Sequence, residues 1–120
     1  MNIKVKTTGT FKNIDKYLID HKKSMFTYDD IKQIGEYSLN SFRKNTPTNT
    51  GKTAEMWRYD IEENNGQYII NMYNDNIQNG YNIAILVDQG HATYSGKWVQ
   101  GQYYIDQTIE QIVKYINKMK

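Results

Sequence analysis

The sequence predicts one α+β domain over residues 1–120, in which an antiparallel sheet with a central hairpin packs against N-terminal helices and a C-terminal helix. Three observations predict this architecture. A length of 120 residues suits a single domain. Two alternating segments flank an Asn-Gly pair in the middle of the chain, and an apolar stripe at helical spacing closes the sequence. The resulting order of strand, helices, hairpin and helix is typical of the α+β class.

The N-terminal segment predicts a short strand followed by a helix. Ile3 and Val5 alternate with lysines, which is the period of a half-buried strand. Thr10 is a candidate helix cap, and we expect this helix to end near His21, in a basic cluster that suits the negative end of a helix dipole. The apolar face of the helix is expected to contain Phe11, Ile14 and Leu18.

A second helix has a clearer start and end. Thr27 precedes Asp30 by three residues, a variant of the capping box that favours a helix start at this point. Pro47 ends the helix, because proline disfavours helical geometry in the residue before it. The apolar side of this helix is predicted to contain Ile31, Ile34, Leu39 and Phe42.

The two alternating segments predict a β-hairpin. Asn65 and Gly66 lie between them and readily adopt the positive φ angles of a tight turn. The apolar positions are Trp57, Tyr59 and Ile61 before the turn and Tyr68, Ile70 and Met72 after it. A polar loop follows, and the apolar run from Ile83 to Val87 then predicts either a buried strand or a short helix, because periodicity does not separate the two.

The C-terminal segment predicts a core-facing helix. Its apolar residues recur at spacings of 4, 3, 4 and 3, which forms one continuous stripe along a helix. Acidic residues near its start and lysines near its end also match the helix dipole. The stripe consists of Ile105, Ile109, Ile112, Ile116 and Met119.

The composition excludes several classes of protein. The chain has no cysteine, which excludes disulfide scaffolds, thiol nucleophiles and cysteine-based metal sites. No apolar run approaches the length of a membrane span, and the N-terminus lacks the apolar segment of a signal peptide. The net charge is only +2, which gives no general reason to bind nucleic acid. Ile, Leu, Val and Phe number 25 of 120 residues, so we expect a thin core that would benefit from a partner surface.

No catalytic, cofactor or metal site is predicted. The Gly-Lys-Thr at Gly51 to Thr53 resembles the end of a phosphate-binding loop, but Thr46 occupies the place of that motif's first glycine. His21 and His91 are far apart, and neither has a further ligand at helical spacing. The serines lack the context of an activated nucleophile.

A glycine-rich and aromatic loop is the remaining candidate, and we expect it to be an assembly interface. Its glycines indicate unusual backbone angles, and its Trp98 is the best candidate for an interface anchor. Two alternatives stay open: Trp98 folds back over the core, or the loop stacks single-stranded bases, although Lys97 is its one basic residue. The predicted interface residues are Gly90, His91, Tyr94, Gly96, Trp98 and Gly101.

These residues also carry a family resemblance. The chain resembles small minor structural proteins of long-tailed phages, known as tail-completion, neck or head–tail joining proteins. Their pattern of Pro-x-Asp-Thr-Gly followed by Leu and Ser-Trp is matched at Pro47, Thr50, Gly51 and Trp57, with departures at Asn49, Thr53 and Met56. Their second pattern, Val-Glu-x-Gly-His and then Gly-Gly-Trp-Val-Pro-Gly with an aromatic, is matched at Val87, Gly90, His91, Thr93, Gly96, Trp98, Val99, Gly101 and Tyr103. It departs at Asp88, Lys97 and Gln100.

The resemblance implies a non-enzymatic virion protein without cofactors, assembled in the host cytoplasm. It implies a homo-oligomeric, hexameric ring between the portal connector and the tail tube, through whose lumen DNA passes without sequence-specific contacts. A tail terminator or head-closure ring is the alternative within this class. A small nucleic-acid-binding module is the alternative from another class. No membrane contact is expected.

Overall fold

The helix predicted after Thr27, the C-terminal helix and the antiparallel hairpin of the predicted α+β class are all present in the structure. The structure is a computed structural model, and it describes residues 2–7, 18–20, 26–47, 51–64 and 67–119. The fold class predicted from the sequence is therefore confirmed. The Asn-Gly turn at 65–66 lies outside the described residues, as do Thr10 and His21.

A mixed sheet of four strands forms one layer of the fold. Its strands are β1 (Asn2–Thr7), β2 (Leu18–Asp20), β3 (Trp57–Asn64) and β4 (Gln67–Asn74), in the spatial order β2-β1-β4-β3. The predicted hairpin is β3–β4, and β1 pairs with β2 in the antiparallel sense. However, β1 and β4 are parallel. The sheet is therefore mixed, whereas an antiparallel sheet was predicted.

The prediction of a helix from Thr10 to near His21 is wrong where the structure tests it. The helical pattern places Leu18 on an apolar face, but Leu18 begins strand β2 and pairs with Lys4 of β1. The helical spacing of apolar residues gives way here to pairing along the sheet edge, since tertiary context overrides a short local pattern. The rest of the predicted helix, over 10–17, lies outside the described residues.

In the described ranges, four helices accompany the sheet. They are α1 (Tyr28–Asn45), α2 (Gly51–Glu55), α3 (Ile83–Gln89) and α4 (Tyr104–Met119). The capping box of α1 is formed as predicted: the Asp30 amide donates to Thr27 Oγ1 over 3.2 Å, and the Thr27 amide donates to Asp30 Oδ2 over 2.9 Å. The run from Ile83 to Val87, for which periodicity allows either a strand or a helix, is helical.

The core lies between the sheet and the two long helices. The apolar stripe of α4 faces it as predicted, with its four isoleucines fully buried and Met119 half-buried at its edge. On the sheet, Trp57, Ile70 and Met72 are likewise fully buried. The buried apolar residues are Val5, Phe26, Ile31, Ile34, Phe42, Trp57, Ile70, Met72, Ala84, Ile85, Tyr104, Ile105, Ile109, Ile112 and Ile116.

Two short antiparallel ribbons lie between the hairpin and α4. The first pairs β5 (Ile77–Gln78) with β6 (Tyr81–Asn82), within the segment predicted as a polar loop. The second pairs β7 (Gly90–Ala92) with β8 (Trp98–Gln100). Within the described parts of the chain, no helix is both long enough and apolar enough to span a membrane.

Candidate assembly surface

The predicted glycine-rich loop is an ordered β-ribbon. Strands β7 and β8 pair His91 with Val99 and Ala92 with Trp98. The turn between them is closed by two backbone hydrogen bonds: the Thr93 amide donates to the Lys97 carbonyl over 2.7 Å, and the Gly96 amide donates to the Thr93 carbonyl over 3.0 Å. Backbone pairing therefore holds this segment, hereafter the ribbon (residues 90–100), in one shape.

Two glycines allow the chain to cross itself closely at the base of the ribbon. A Cβ atom on Gly90 would lie 2.6 Å from the Val99 carbonyl oxygen, and one on Gly101 would lie 2.8 Å from the Gly90 nitrogen. Gly90 also has a φ of +86°, which favours glycine. Since no side chain fits at this crossing, these two predicted interface residues set the course of the backbone.

Asp88 ties the base of the ribbon to the last helix. Its Oδ1 accepts a hydrogen bond of 2.9 Å from the Ile105 amide, and its carbonyl accepts one of 2.9 Å from the Tyr103 amide. Asp88 thereby caps α4 from 17 residues upstream, which the sequence did not suggest. Burial raises the pKa of this carboxyl above its ordinary value, and the hydrogen bond from Ile105 only partly opposes the effect.

The exposed apolar side chains concentrate around this region. Among the described residues, seven large apolar side chains are exposed, and six of them lie between β5 and the start of α4. Trp98 is 63% exposed, so the alternative that it covers the core is wrong. The six are Ile77, Tyr81, Tyr94, Trp98, Val99 and Tyr103.

The outer face of the ribbon carries Trp98 and Gln100. Residues directly opposite each other in an antiparallel pair project to the same face, so Trp98 lies beside Ala92, and Val99 lies beside His91 on the other face. The Gln100 amide donates to the Tyr103 hydroxyl over 3.0 Å, which holds Tyr103 against this surface. We call Trp98, Gln100 and Tyr103 the aromatic face.

A groove of about 1030 Å³ lies between the two ribbons, above α3. His91 borders both this groove and a smaller cavity of about 190 Å³ under the ribbon, and its Nδ1 is buried with no hydrogen-bond partner among the described residues. The side chains that line the groove include Tyr81, Ile83, Leu86, His91, Thr93 and Tyr94.

Buried asparagines hold the far wall of the groove. Asn74 Nδ2 donates to the Thr53 carbonyl over 2.8 Å, and Asn76 Nδ2 donates to Thr53 Oγ1 over 2.8 Å. Asn82 caps α3 by accepting from the Ile85 amide over 3.4 Å. This network was not predicted from the sequence, although asparagines at both ends of a polar loop are a signal for such turns.

The first family-like motif is structural. Trp57 is fully buried, its Nε1 donates to Thr46 Oγ1 over 2.8 Å, and its ring lies 4.6 Å from that of Phe42. Gly51 begins a helix of five residues, whereas a phosphate-binding loop needs a long one. The glycine of this motif therefore gives no support to a nucleotide site.

Five of the six predicted interface residues divide between the two ends of the ribbon, and the sixth, His91, lies in β7 and lines the groove. Gly90 and Gly101 meet at its base, and Trp98 packs there, with its Cζ2 2.9 Å from a Cβ built on Gly90. Tyr94 and Gly96 lie in the turn at the opposite end. In the described ranges, no group of three or more His, Asp or Glu side chains is arranged to hold a metal ion.

Comparisons with family models, curated proteins and solved structures found no match to this chain.

Proposed function

We propose that the protein is a non-enzymatic structural protein of a long-tailed phage or prophage. It would be a neck or tail-completion component that forms a ring at the head-proximal end of the tail and joins the tail to the connector. The observation that carries the proposal is the ribbon, whose glycine crossing fixes its base while Trp98 and Tyr94 face solvent. An exposed aromatic cluster with polar neighbours is characteristic of protein-binding surfaces.

The positions of the family-like residues also support the proposal. Trp57 is bonded to Thr46 in the core and Gly51 begins α2, so the first motif would preserve the domain itself. Gly90 and Gly101 form the crossing that presents Trp98. One motif would thus maintain the fold and the other would present a surface. We expect this division in a protein that binds other proteins rather than catalysing a reaction.

A single-stranded nucleic-acid module is the second candidate, because fully exposed Tyr94 and exposed Trp98 flank the exposed Lys97. Aromatic rings beside cations can stack bases. Yet Lys97 is the one Lys or Arg of the ribbon, whereas a groove that binds the phosphate backbone of a nucleic acid needs several basic residues. We therefore favour the structural role.

Deletion of the gene from the phage or prophage tests the proposal. Tails purified from the deletion strain and viewed by electron microscopy are expected to lack the head-proximal ring and to stay unjoined to heads, and wild-type protein supplied in trans should restore them. Tails of uncontrolled length would instead favour the terminator role. Complete particles at normal yield would contradict every virion role.

A further inference from the structure

We infer that copies of this chain contact each other head to tail, with the aromatic face of one copy seated in the groove of the next. The inference rests on the proposed ring and names the surfaces that form it. Trp98 is the projecting side chain, and Tyr81 and Tyr94 border the receiving groove.

The projection and the groove lie at different places on the molecule. His91 and Ala92, from opposite faces of the ribbon, both line the groove, but neither Trp98 nor Tyr103 lines it. A protein that carries a projection and a receiving groove at different places makes a heterologous contact, and such contacts repeat from copy to copy into a ring or a filament.

The two surfaces match in their lack of charged side chains. The described residues that line the groove include no Asp, Glu, Lys or Arg, and the aromatic face is uncharged as well. The whole chain, in contrast, carries 15 Lys and Arg and 13 Asp and Glu. An uncharged projection can therefore enter an uncharged groove without desolvating an ion.

The apolar area available fits a second copy that binds weakly. Trp98 and Tyr103 on one side and Tyr81 and Tyr94 on the other are each more than half exposed. Large rings bury about 150–250 Å² each, so one contact would remove on the order of 500 Å² of ring surface from water. Stable interfaces bury about 1,200–2,000 Å² in total. One contact alone should thus be transient, and ring closure on a tail would stabilise it.

Engineered cysteines test the contact directly, because the chain has none of its own. Gln100→Cys marks the aromatic face, and Gln78→Cys marks the edge of the groove; both side chains are exposed. A short bismaleimide linker traps even short-lived contacts. We expect linked dimers when the two variants are mixed and none from either variant alone. Linking within Gln100→Cys alone, or none in the mixture, would overturn the inference.

Two matched cross-linking samples identify the direction of the contact. Trp98→Asp added to the Gln100→Cys copy should abolish the mixed cross-link, whereas the same change in the Gln78→Cys copy should leave it, since that copy contributes only its groove. This second sample also shows that Trp98→Asp folds. Equal effects in the two samples would contradict a head-to-tail contact.

The cross-linking and gene-deletion experiments distinguish failure of the proposed contact from failure of the proposed phage role. A mixed cross-link together with complete particles after deletion would keep the contact and refute the phage role. Incomplete tails after deletion, without any mixed cross-link, would keep the phage role and refute this contact.

Discussion

At the scale of single residues, the two tryptophans show how the same side chain serves different purposes. Trp57 is fully buried and donates a hydrogen bond to Thr46, whereas Trp98 is 63% exposed. The alternation around Trp57 predicted its burial. The exposure of Trp98 could not be predicted from its glycine-rich surroundings, because it depends on the crossing of Gly90 and Gly101, whose close approach is a contact between backbones.

The crossing gives a first prediction from a matched pair of glycines. Gly90 and Gly96 have nearly the same φ, +86° and +82°, but no described atom lies within 4 Å of a Cβ built on Gly96. Gly96→Ala should suffer backbone strain of about 1–2 kcal/mol. The strain in Gly90→Ala should be at least as large, because its φ of +86° with a ψ of 166° lies in a region essentially confined to glycine. Gly90→Ala should lose about 1–3 kcal/mol more because its Cβ overlaps the Val99 carbonyl oxygen and Trp98. Urea unfolding measures both, and equal losses would contradict a tight crossing.

The buried hydroxyl of Thr46 gives a second prediction. It accepts from Trp57 Nε1 over 2.8 Å and donates to the Phe42 carbonyl over 2.5 Å. Thr46→Val should lower the free energy of unfolding by about 1–3 kcal/mol, because the buried indole N–H loses its partner. Thr46→Ser keeps the hydroxyl and should lose less, as measured by urea unfolding. Equal losses would contradict the prediction, because the hydroxyl that Thr46→Val removes would then contribute no more than the methyl that Thr46→Ser removes.

At the scale of elements, local patterns were predictable and long-range pairings were not. The start of α1 follows from Thr27 and Asp30, and α4 follows from its isoleucine stripe, because both signals lie within the element itself. The parallel pairing of β1 with β4 joins segments more than sixty residues apart, and no local pattern reports it. Strands of three residues, such as β2, β7 and β8, are too short to show alternation.

The junction between α3 and α4 gives a third prediction, on pH dependence. Because burial raises the pKa of Asp88 in the folded state, the folded chain binds the proton of this carboxyl more tightly than the unfolded chain does. Its contribution to stability is thus present below the ordinary aspartate pKa and is lost as pH rises through the raised folded value. Asp88→Asn stays neutral and keeps an acceptor for the Ile105 amide, so its stability relative to wild type should increase from acidic to neutral pH.

Urea unfolding at a series of pH values measures this difference. Asp88→Leu serves as the control, because it also cannot ionise but removes the cap of α4. It should show the same rise relative to wild type while lying about 0.5–2 kcal/mol below Asp88→Asn at every pH. If the stability of Asp88→Asn relative to wild type stays constant or falls as pH rises, folding does not raise the pKa of Asp88.

At the scale of the whole molecule, charge and surface favour docking to protein over binding to DNA. The net charge is +2, and most exposed large apolar side chains described lie around the two ribbons. The assembly role that the sequence predicted for Gly90, His91, Tyr94, Gly96, Trp98 and Gly101 stays a prediction, and Tyr94 and Trp98 of this set are exposed as such a role requires. The sequence did not predict the groove, because the groove forms only when β5–β6 and β7–β8 lie side by side over α3.

The low net charge gives a fourth prediction. Binding to duplex DNA should be weak and should show a shallow dependence on salt, because few counterions can be released. Fluorescence anisotropy with a labelled duplex at several salt concentrations measures the slope. Submicromolar, sequence-selective binding at physiological salt would favour the nucleic-acid module over the virion role.

The most direct test of the ribbon as an assembly surface combines two measurements on Trp98→Ala. We expect the thermal unfolding of the isolated protein to be nearly unchanged, because the side chain is mostly exposed, while tails carrying the variant fail to complete or to join heads. Tyr28→Ala, which removes a ring of similar exposure on α1, should affect neither measurement. A loss of about 3–5 kcal/mol, typical of a buried tryptophan, with assembly reduced only in proportion to the folded protein, would contradict the assembly role.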